Sequence, residues 1–306
     1  MIPNYIKNKA QQYSVDFPHF DYDHQVLDID IKTKRLEDTQ LLRGPLPSKD
    51  DILSGNYFVT IGSAHTFGRF SNKTYGQYIS EKINIPCLNA GVSDASPHIF
   101  CRPEWLKYIN KAKFVIIQML SGRTGDNHIF YGGNIAKRKS HGACKKIDKM
   151  LSIILKEAGG KFVKRLIKES KEDFINQYIQ LKKAITVPKI HLWHSVRKPE
   201  DIENLDNACI EKNEDFFRFL CSNQVNQFPH LIDRQSLTKM VGNETLVEYV
   251  SSKGFPQFFY DDNKNKVTLM TRTGVSWPYN NYYPTQEQHG EVAELLTTKI
   301  QNILTT

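Results

Sequence analysis

The chain has 306 residues, with 41 Lys+Arg against 33 Asp+Glu for a net charge of +8, and 40% of its residues are hydrophobic. This composition excludes a disordered or collagen-like chain and is enough for a sizeable core without disulfides or metal. The cysteines (Cys87, Cys101, Cys144, Cys209, Cys221) form no framework, and neither a secretory signal nor an apolar run of membrane-spanning length is present, so a cytoplasmic protein with free thiols is expected.

Residues 1–50 are polar and turn-rich, end in Arg43-Gly44-Pro45-Leu46-Pro47, and read as an extension packed on a domain spanning 51–306. From there short apolar runs alternate with longer helical patterns, the signature of βαβ units around a mostly parallel sheet. Five strands are expected, at 57–61, 85–88, 113–119, 189–193 and 225–232. Helices are expected near 74–83, 143–157, 161–184, 200–221, 235–251 and 286–304. In the last of these, Val292, Leu295, Leu296, Ile300, Ile303 and Leu304 recur at helical spacing, and Thr285 with Gln288 has the spacing of a capping box.

The stretch of about 120–185 reads as a basic helical insertion between the third and fourth strands. Within it, residues 137–168 hold 11 Lys+Arg against Asp148 and Glu157, a local charge of +9. A solvated helical face is the ordinary reading of such a run. The functional reading is an anion site for a phosphate, a phosphorylated cofactor or an acidic glycan, starting at Lys137, Arg138 and Lys139. Nucleic acid ranks behind both, because no aromatic-interleaved basic motif or zinc-finger spacing is present.

In an open parallel sheet ligands bind outside the carboxyl ends of the strands, so the turns after the strands are where chemistry is sought. The first strand is followed by Ile61-Gly62-Ser63-Ala64-His65-Thr66-Phe67-Gly68-Arg69-Phe70, and the second runs into Leu88-Asn89-Ala90-Gly91-Val92-Ser93. After the third comes Gln118-Met119-Leu120-Ser121-Gly122-Arg123-Thr124-Gly125-Asp126-Asn127, and Tyr282-Tyr283-Pro284-Thr285-Gln286-Glu287-Gln288-His289 opens the last helix.

In this order the four blocks resemble the SGNH hydrolase superfamily, the GDSL-like esterases. The phrasing of 61–70 and 117–130 is similar, more narrowly, to a bacterial branch found beside polysaccharide genes. The resemblance implies a flavodoxin-like three-layer α/β/α sandwich. It also implies Ser63 as nucleophile, Gly91 and Asn127 completing an oxyanion hole with Ser63, and His289 as base. His65, Arg69, Arg123 and Tyr283 are the expected substrate-binding residues. Two positions depart from the pattern. Gly62 stands where the family usually has Asp, and Gln286 stands where an Asp three residues before the His would orient it. A Ser–His dyad, or an acid from elsewhere with Glu287 and Asp126 first in line, is the expectation.

These residue types suit acyl transfer. A serine hydroxyl is a weak nucleophile until an imidazole takes its proton, and the tetrahedral oxyanion needs converging donors. The expected function is serine-dependent transfer or hydrolysis of an acyl group, acetyl first, on a carbohydrate hydroxyl. The basic segment tilts this toward a transferase that draws on acetyl-coenzyme A, with no tightly bound cofactor. The alternative is a catalytically idle relative binding a nucleotide, glycan or other polyanion. No His/Cys/Asp/Glu spacing calls for a metal, and Gly159-Gly160-Lys161 lacks the rest of a P-loop. The aromatic clusters at 255–260 and 277–283 read as core or rim packing, or else as a sugar-stacking platform.

Overall fold

A computed structural model of the chain describes residues 24–25, 42–92, 95–131, 135–138, 144–202, 227–253, 257–260, 265–270, 276–280 and 282–305. The chain forms two compact units, one of Met1–Val92, Ala112–Val115 and Gly254–Thr306, the other of Ser93–Lys111 and Ile116–Lys253.

In the first unit the strands β1 (His24–Gln25), β2 (Leu42–Arg43), β3 (Phe58–Gly62) and β4 (Cys87–Gly91) lie in the order β1-β2-β4-β3. The β3–β4 pair is parallel, in register from Phe58 opposite Cys87 to Gly62 opposite Gly91. Both strands are buried at every position, which is why they read as apolar or small runs without alternation. The end of the 1–50 stretch joins this sheet, since Arg43 of β2 pairs antiparallel with Asn89 and β1 pairs antiparallel with β2. Helices α1 (Lys49–Ser54), α2 (Ala64–Phe67) and α3 (Tyr75–Ile83) start at the side-chain caps Ser48, Ser63 and Thr74.

The second unit contains α4 (Pro97–Phe100), α5 (Pro103–Ile109), most of β5 (Val115–Gln118) and a 3₁₀ turn at Gly122–Thr124. A meander of β6 (Phe130–Tyr131), β7 (Ile135–Arg138) and β8 (Cys144–Lys146) leads into α6 (Ile147–Ala184). The helices expected at 143–157 and 161–184 are the two halves of α6, interrupted at Gly159 (φ 76°, ψ 171°). Strand β9 (Lys189–Ser195), helix α7 (Arg234–Val241) and strand β10 (Thr245–Val250) follow, with β10 parallel to β9.

Two expected elements differ here. Residues 227–232 are a turn, because Pro229 brings no N–H to a ladder and Leu231 is left-handed (φ 64°). The helix expected over 235–251 ends at Val241, and 245–250 is the strand that takes the place of 225–232. With β1 and β2 added, more than the five expected strands take part in sheet pairing. The expected helix at 200–221 falls almost entirely outside the described residues.

The chain returns to the first unit through β11 (Gln257–Tyr260), β12 (Lys266–Val267), β13 (Leu269–Met270), β14 (Ser276–Trp277) and β15 (Tyr279–Asn280), then α8 (Gln286–Leu304). Phe67, Phe70, Phe259 and Leu269 form a core cluster, against which Trp277 and Tyr283 pack. Helix α8 lies on α3 and begins with the expected capping box, in which Gln288 N–H donates to Thr285 Oγ1 and Thr285 N–H to Gln288 Oε1. Its buried stripe is Val292, Ala293, Leu296 and Ile300, while Leu295 and Leu304 face solvent, so the apolar face is narrower than the sequence pattern suggested. Among the described residues no helix is long and apolar enough to cross a membrane.

Candidate active site

Ser63 follows directly on β3 and caps α2, a helix of one turn whose four residues are all buried. Its Oγ accepts from the His65 backbone N–H at 3.3 Å and lies 3.3 Å from His65 Nδ1. Both residues are nearly enclosed, at 7% and 3% exposure, so this contact is shielded from bulk water. A hydroxyl that accepts from the backbone keeps its own proton to give to the ring nitrogen.

The C-terminal segment of the same unit walls this pair. The His65 ring meets Tyr282 edge-on with centroids 5.1 Å apart and Tyr283 at 5.6 Å. Arg69 Nη1 donates to the Tyr283 hydroxyl at 3.0 Å, and its guanidinium lies 5.1–5.9 Å from the ring centres of Tyr283, Phe70 and Trp277. Four expected residues, Ser63, His65, Arg69 and Tyr283, are thus brought into one cluster.

His289, fully buried in the first turn of α8, has a different setting. Its Nδ1 accepts the Tyr75 backbone N–H at 3.3 Å, at the start of α3, and its ring lies beside that of Tyr75 with centroids 5.8 Å apart. A neutral imidazole that accepts at Nδ1 carries its proton on Nε2 and is a donor there, the reverse of what a base acting through Nε2 needs. The Tyr75 hydroxyl reaches Thr66 Oγ1 at 3.0 Å, which ties α3 to α2, and burial raises the pKa of this phenol. Gly68, the left-handed C-cap of α2 (φ 77°), comes close to both elements. A Cβ there would lie 2.4 Å from Thr74 Cγ2 and 3.6 Å from His289 Nε2.

Gly91 is required by space. An added Cβ would sit 2.2 Å from Phe67 N and 2.7 Å from its Cα, so only glycine lets the end of β4 pass the α2 backbone. Its N–H, expected in an oxyanion hole, donates to Asn89 Oδ1 at 2.9 Å, while Asn89 Nδ2 donates to Thr66 O at 2.9 Å.

Two residues that sequence reasoning passed over therefore shape the site. Asn89 clamps β4 to α2, and its signal was an amide within a strand of otherwise small or apolar residues. Buried Arg43 gives Nη1 to Gly68 O at 2.9 Å and Nη2 to Ser71 O and Asn72 O at 2.8 Å, fixing the chain that leaves α2. No sequence signal marked it, because its role depends on carbonyls about 25 residues away.

The remaining expected residues, Glu287 excepted, belong to the second unit. The buried Asn127 gives Nδ2 to Ser170 Oγ at 3.0 Å and accepts Ile129 N–H at 2.9 Å, so its amide anchors the loop to α6. Arg123 is half-buried in the 3₁₀ turn, and its N–H donates to Ser121 Oγ at 3.4 Å. Lys137 and Arg138 lie in β7, while Lys139 is outside the described residues. Of the acids weighed as substitutes, Asp126 donates its backbone N–H to the Asp173 carboxylate at 2.8 Å, and Glu287 is exposed in the first turn of α8. Among the described residues no group of three or more His, Cys, Asp or Glu side chains is placed to hold a metal.

Residues 22–133, less than half of the chain, match the family model described as "Domain of unknown function (DUF6473)". That stretch includes Ser63, Gly91 and Asn127 but not His289. No curated protein matches the sequence. Among solved structures the chain is similar to a Corynascus thermopiles (Myceliophthora fergusii) carbohydrate esterase family 2 enzyme with a carbohydrate binding domain, at 11% identity and TM-score 0.39, over 88% of this chain and 70% of that one. It is also similar to a protein described as a possible lipase from Chitinophaga pinensis, at 12% identity and TM-score 0.39, over 82% and 99%. A protein described as lipolytic and of the G-D-S-L family from Desulfitobacterium hafniense gives 12% identity and TM-score 0.35, over 79% and 98%. Likeness at this level assigns no role to any residue.

Proposed function

We propose that the chain is a serine-dependent enzyme that moves an acyl group, acetyl in the simplest case, on or off a carbohydrate hydroxyl. The observation that carries this reading is the buried contact of Ser63 Oγ with His65 Nδ1 at the carboxyl end of a parallel strand. The resemblance of the four sequence blocks to SGNH enzymes supports the same chemistry.

In this reading the Ser63 oxygen attacks the acyl carbonyl as its proton passes to His65 Nδ1. The tetrahedral intermediate collapses, and the leaving group, an alkoxide from a sugar ester or the thiolate of coenzyme A from its thioester, takes that proton from His65. Acyl-Ser63 is then resolved by water, in an esterase, or by a second sugar hydroxyl, in a transferase. The base role goes to His65 because a neutral His289 is a donor at Nε2. His289 is retained as a positioning residue between α3 and the end of α2. Acetyl-coenzyme A is the donor that a transferase with a basic segment would use, and the three-layer sandwich is the fold that this family reading implies.

A second reading, a catalytically idle protein that binds a glycan, nucleotide or other polyanion, has one observation in its favour. The Gly91 N–H and the Asn127 amide, two of the three expected oxyanion donors, are bonded to the protein itself.

Labelling with a fluorophosphonate, read by intact mass, separates these readings. Labelling of the folded protein is expected to vanish in Ser63→Ala and to slow by about 10²–10⁴-fold in His65→Gln. If His289→Gln is slowed and His65→Gln is not, the proton goes to His289 and the serine chemistry stands. If the folded wild type takes no label, the binding reading replaces catalysis.

A further inference from the structure

The small sheet of β12, β11 and β15 has two faces of opposite character. Inward, Phe259 packs edge-on against Phe70 with centroids 4.9 Å apart, in the cluster that contains Leu269 and borders Tyr283. Outward, the strand alternation presents Phe258 and Tyr260, which are 43% and 57% exposed. The pairing sets Tyr279, 39% exposed, opposite Phe258, and sets Lys266 opposite Tyr260. The Phe258 and Tyr279 rings meet at 6.1 Å and 85°, and Lys266 Nζ lies 3.9 Å from the Phe258 centroid.

We infer that this outer face is a docking platform for an acidic, carboxylate-bearing polysaccharide, which delivers its acyl-carrying residues to the Ser63 site. The inference rests on the reading of Ser63 as the catalytic serine. Three physical features select this occupant. Among the described residues the exposed apolar groups on the face are all aromatic, while the sheet's Val267 lies on the packed side, so the surface offers flat rings to the C–H faces of sugars and little of the aliphatic area that protein partners bury. Two of the three rings carry phenol hydroxyls, which pair with sugar hydroxyls at the ring edge. Lys266 places a cation among the rings, complementary to a uronate carboxylate and in keeping with a chain of net charge +8. One described cation is too few to track a nucleic-acid backbone, which requires a row of them. On its reverse the same sheet borders the Ser63 cluster, since Phe259 packs on Phe70, and Phe70 meets Tyr283 at 5.3 Å.

Affinity electrophoresis of the full chain tests this, with polygalacturonate in the gel, neutral dextran as control, and a dT20 oligonucleotide as competitor. The expected result is retardation by polygalacturonate and not by dextran, weakened about tenfold by Tyr260→Ala and again by Tyr279→Ala, and reduced by Lys266→Gln and by salt. Because the variants change exposed side chains, they are expected to leave turnover of a small ester unchanged. Ser63→Ala is expected to bind like wild type, so a failed binding result and a failed catalytic result are distinguishable. Absence of retardation, retardation that ignores the ring variants, displacement by dT20 at matched charge, or a ring-dependent dimer in sedimentation would each overturn the inference.

Discussion

The Ser63 oxygen caps α2 through the His65 N–H and contacts the His65 ring through its own proton, so substitutions separate the two roles. Ser63→Ala is expected to lose label and also about 0.5–2 kcal/mol of stability, whereas Ser63→Gly loses the label at a cost of only a few tenths of a kcal/mol (~0.3), read by urea denaturation. Gly91 gives a second prediction at this scale. Gly91→Ala drives a methyl into the Phe67 backbone and is expected to destabilise the fold by about 1–3 kcal/mol and to weaken labelling of Ser63, because the backbone at risk is the one Ser63 caps. The sequence pointed to Gly91 for its N–H, but the structure gives the missing Cβ as the reason. Ser63, His65, Arg69 and Tyr283 were legible because they stand beside recognisable turns. Asn89 and Arg43 were not, because their partners are distant in the chain.

At the scale of elements, local signals were read well where a cap and a periodic face agreed. Helix α8 spans the expected 286–304, starting at Thr285 and Gln288. Thr285→Ala is expected to cost about 1 kcal/mol in urea denaturation and to raise hydrogen exchange in the first turn, where His289 sits. The helix expected over 235–251 shows the limit. Leu237, Met240 and Val241 have helical spacing, but Gly242 ends the helix, and Val247 and Tyr249 then alternate as a strand beside β9. The continuous apolar pattern hid the change of period. The turn at 227–232 is held by Arg197, whose guanidinium donates to Gln227 O at 3.0 Å, Ile232 O at 2.8 Å and Pro229 O. Arg197→Lys loses the planar fork and is expected to cost about 2 kcal/mol or more.

For the whole molecule, the buried histidines of β9 are expected to lower stability in acid. Desolvation pushes His194 down to about 3 from 6.5, and burial also lowers His191 despite the opposing Glu244 carboxylate. Between about pH 6.5 and 3 the unfolded chain binds a proton at His194 that the folded chain refuses. Stability is therefore full above that window and falls as pH drops, with a slope approaching about 1.4 kcal/mol per pH unit. Urea denaturation at pH 7, 6 and 5 is expected to show this fall, and His194→Phe to make it shallower, the His191 part remaining.

The sequence by itself determined the α/β class, the parallel pairing signalled by short buried runs, the cap of α8, and the turn that carries Ser63. These are properties of residues near one another in the chain. Tertiary structure alone decided that β10, not 225–232, pairs with β9. It likewise decided that His65 lies within reach of Ser63 while His289 accepts from Tyr75, and that the Gly91 and Asn127 donors are bonded internally. The bonds of His289 and Asn127 depend on groups 214 and 43 residues away, which leave no mark in local sequence, whereas the Ser63–His65 and Asn89–Gly91 contacts join near neighbours whose side-chain directions only the packing around them fixes.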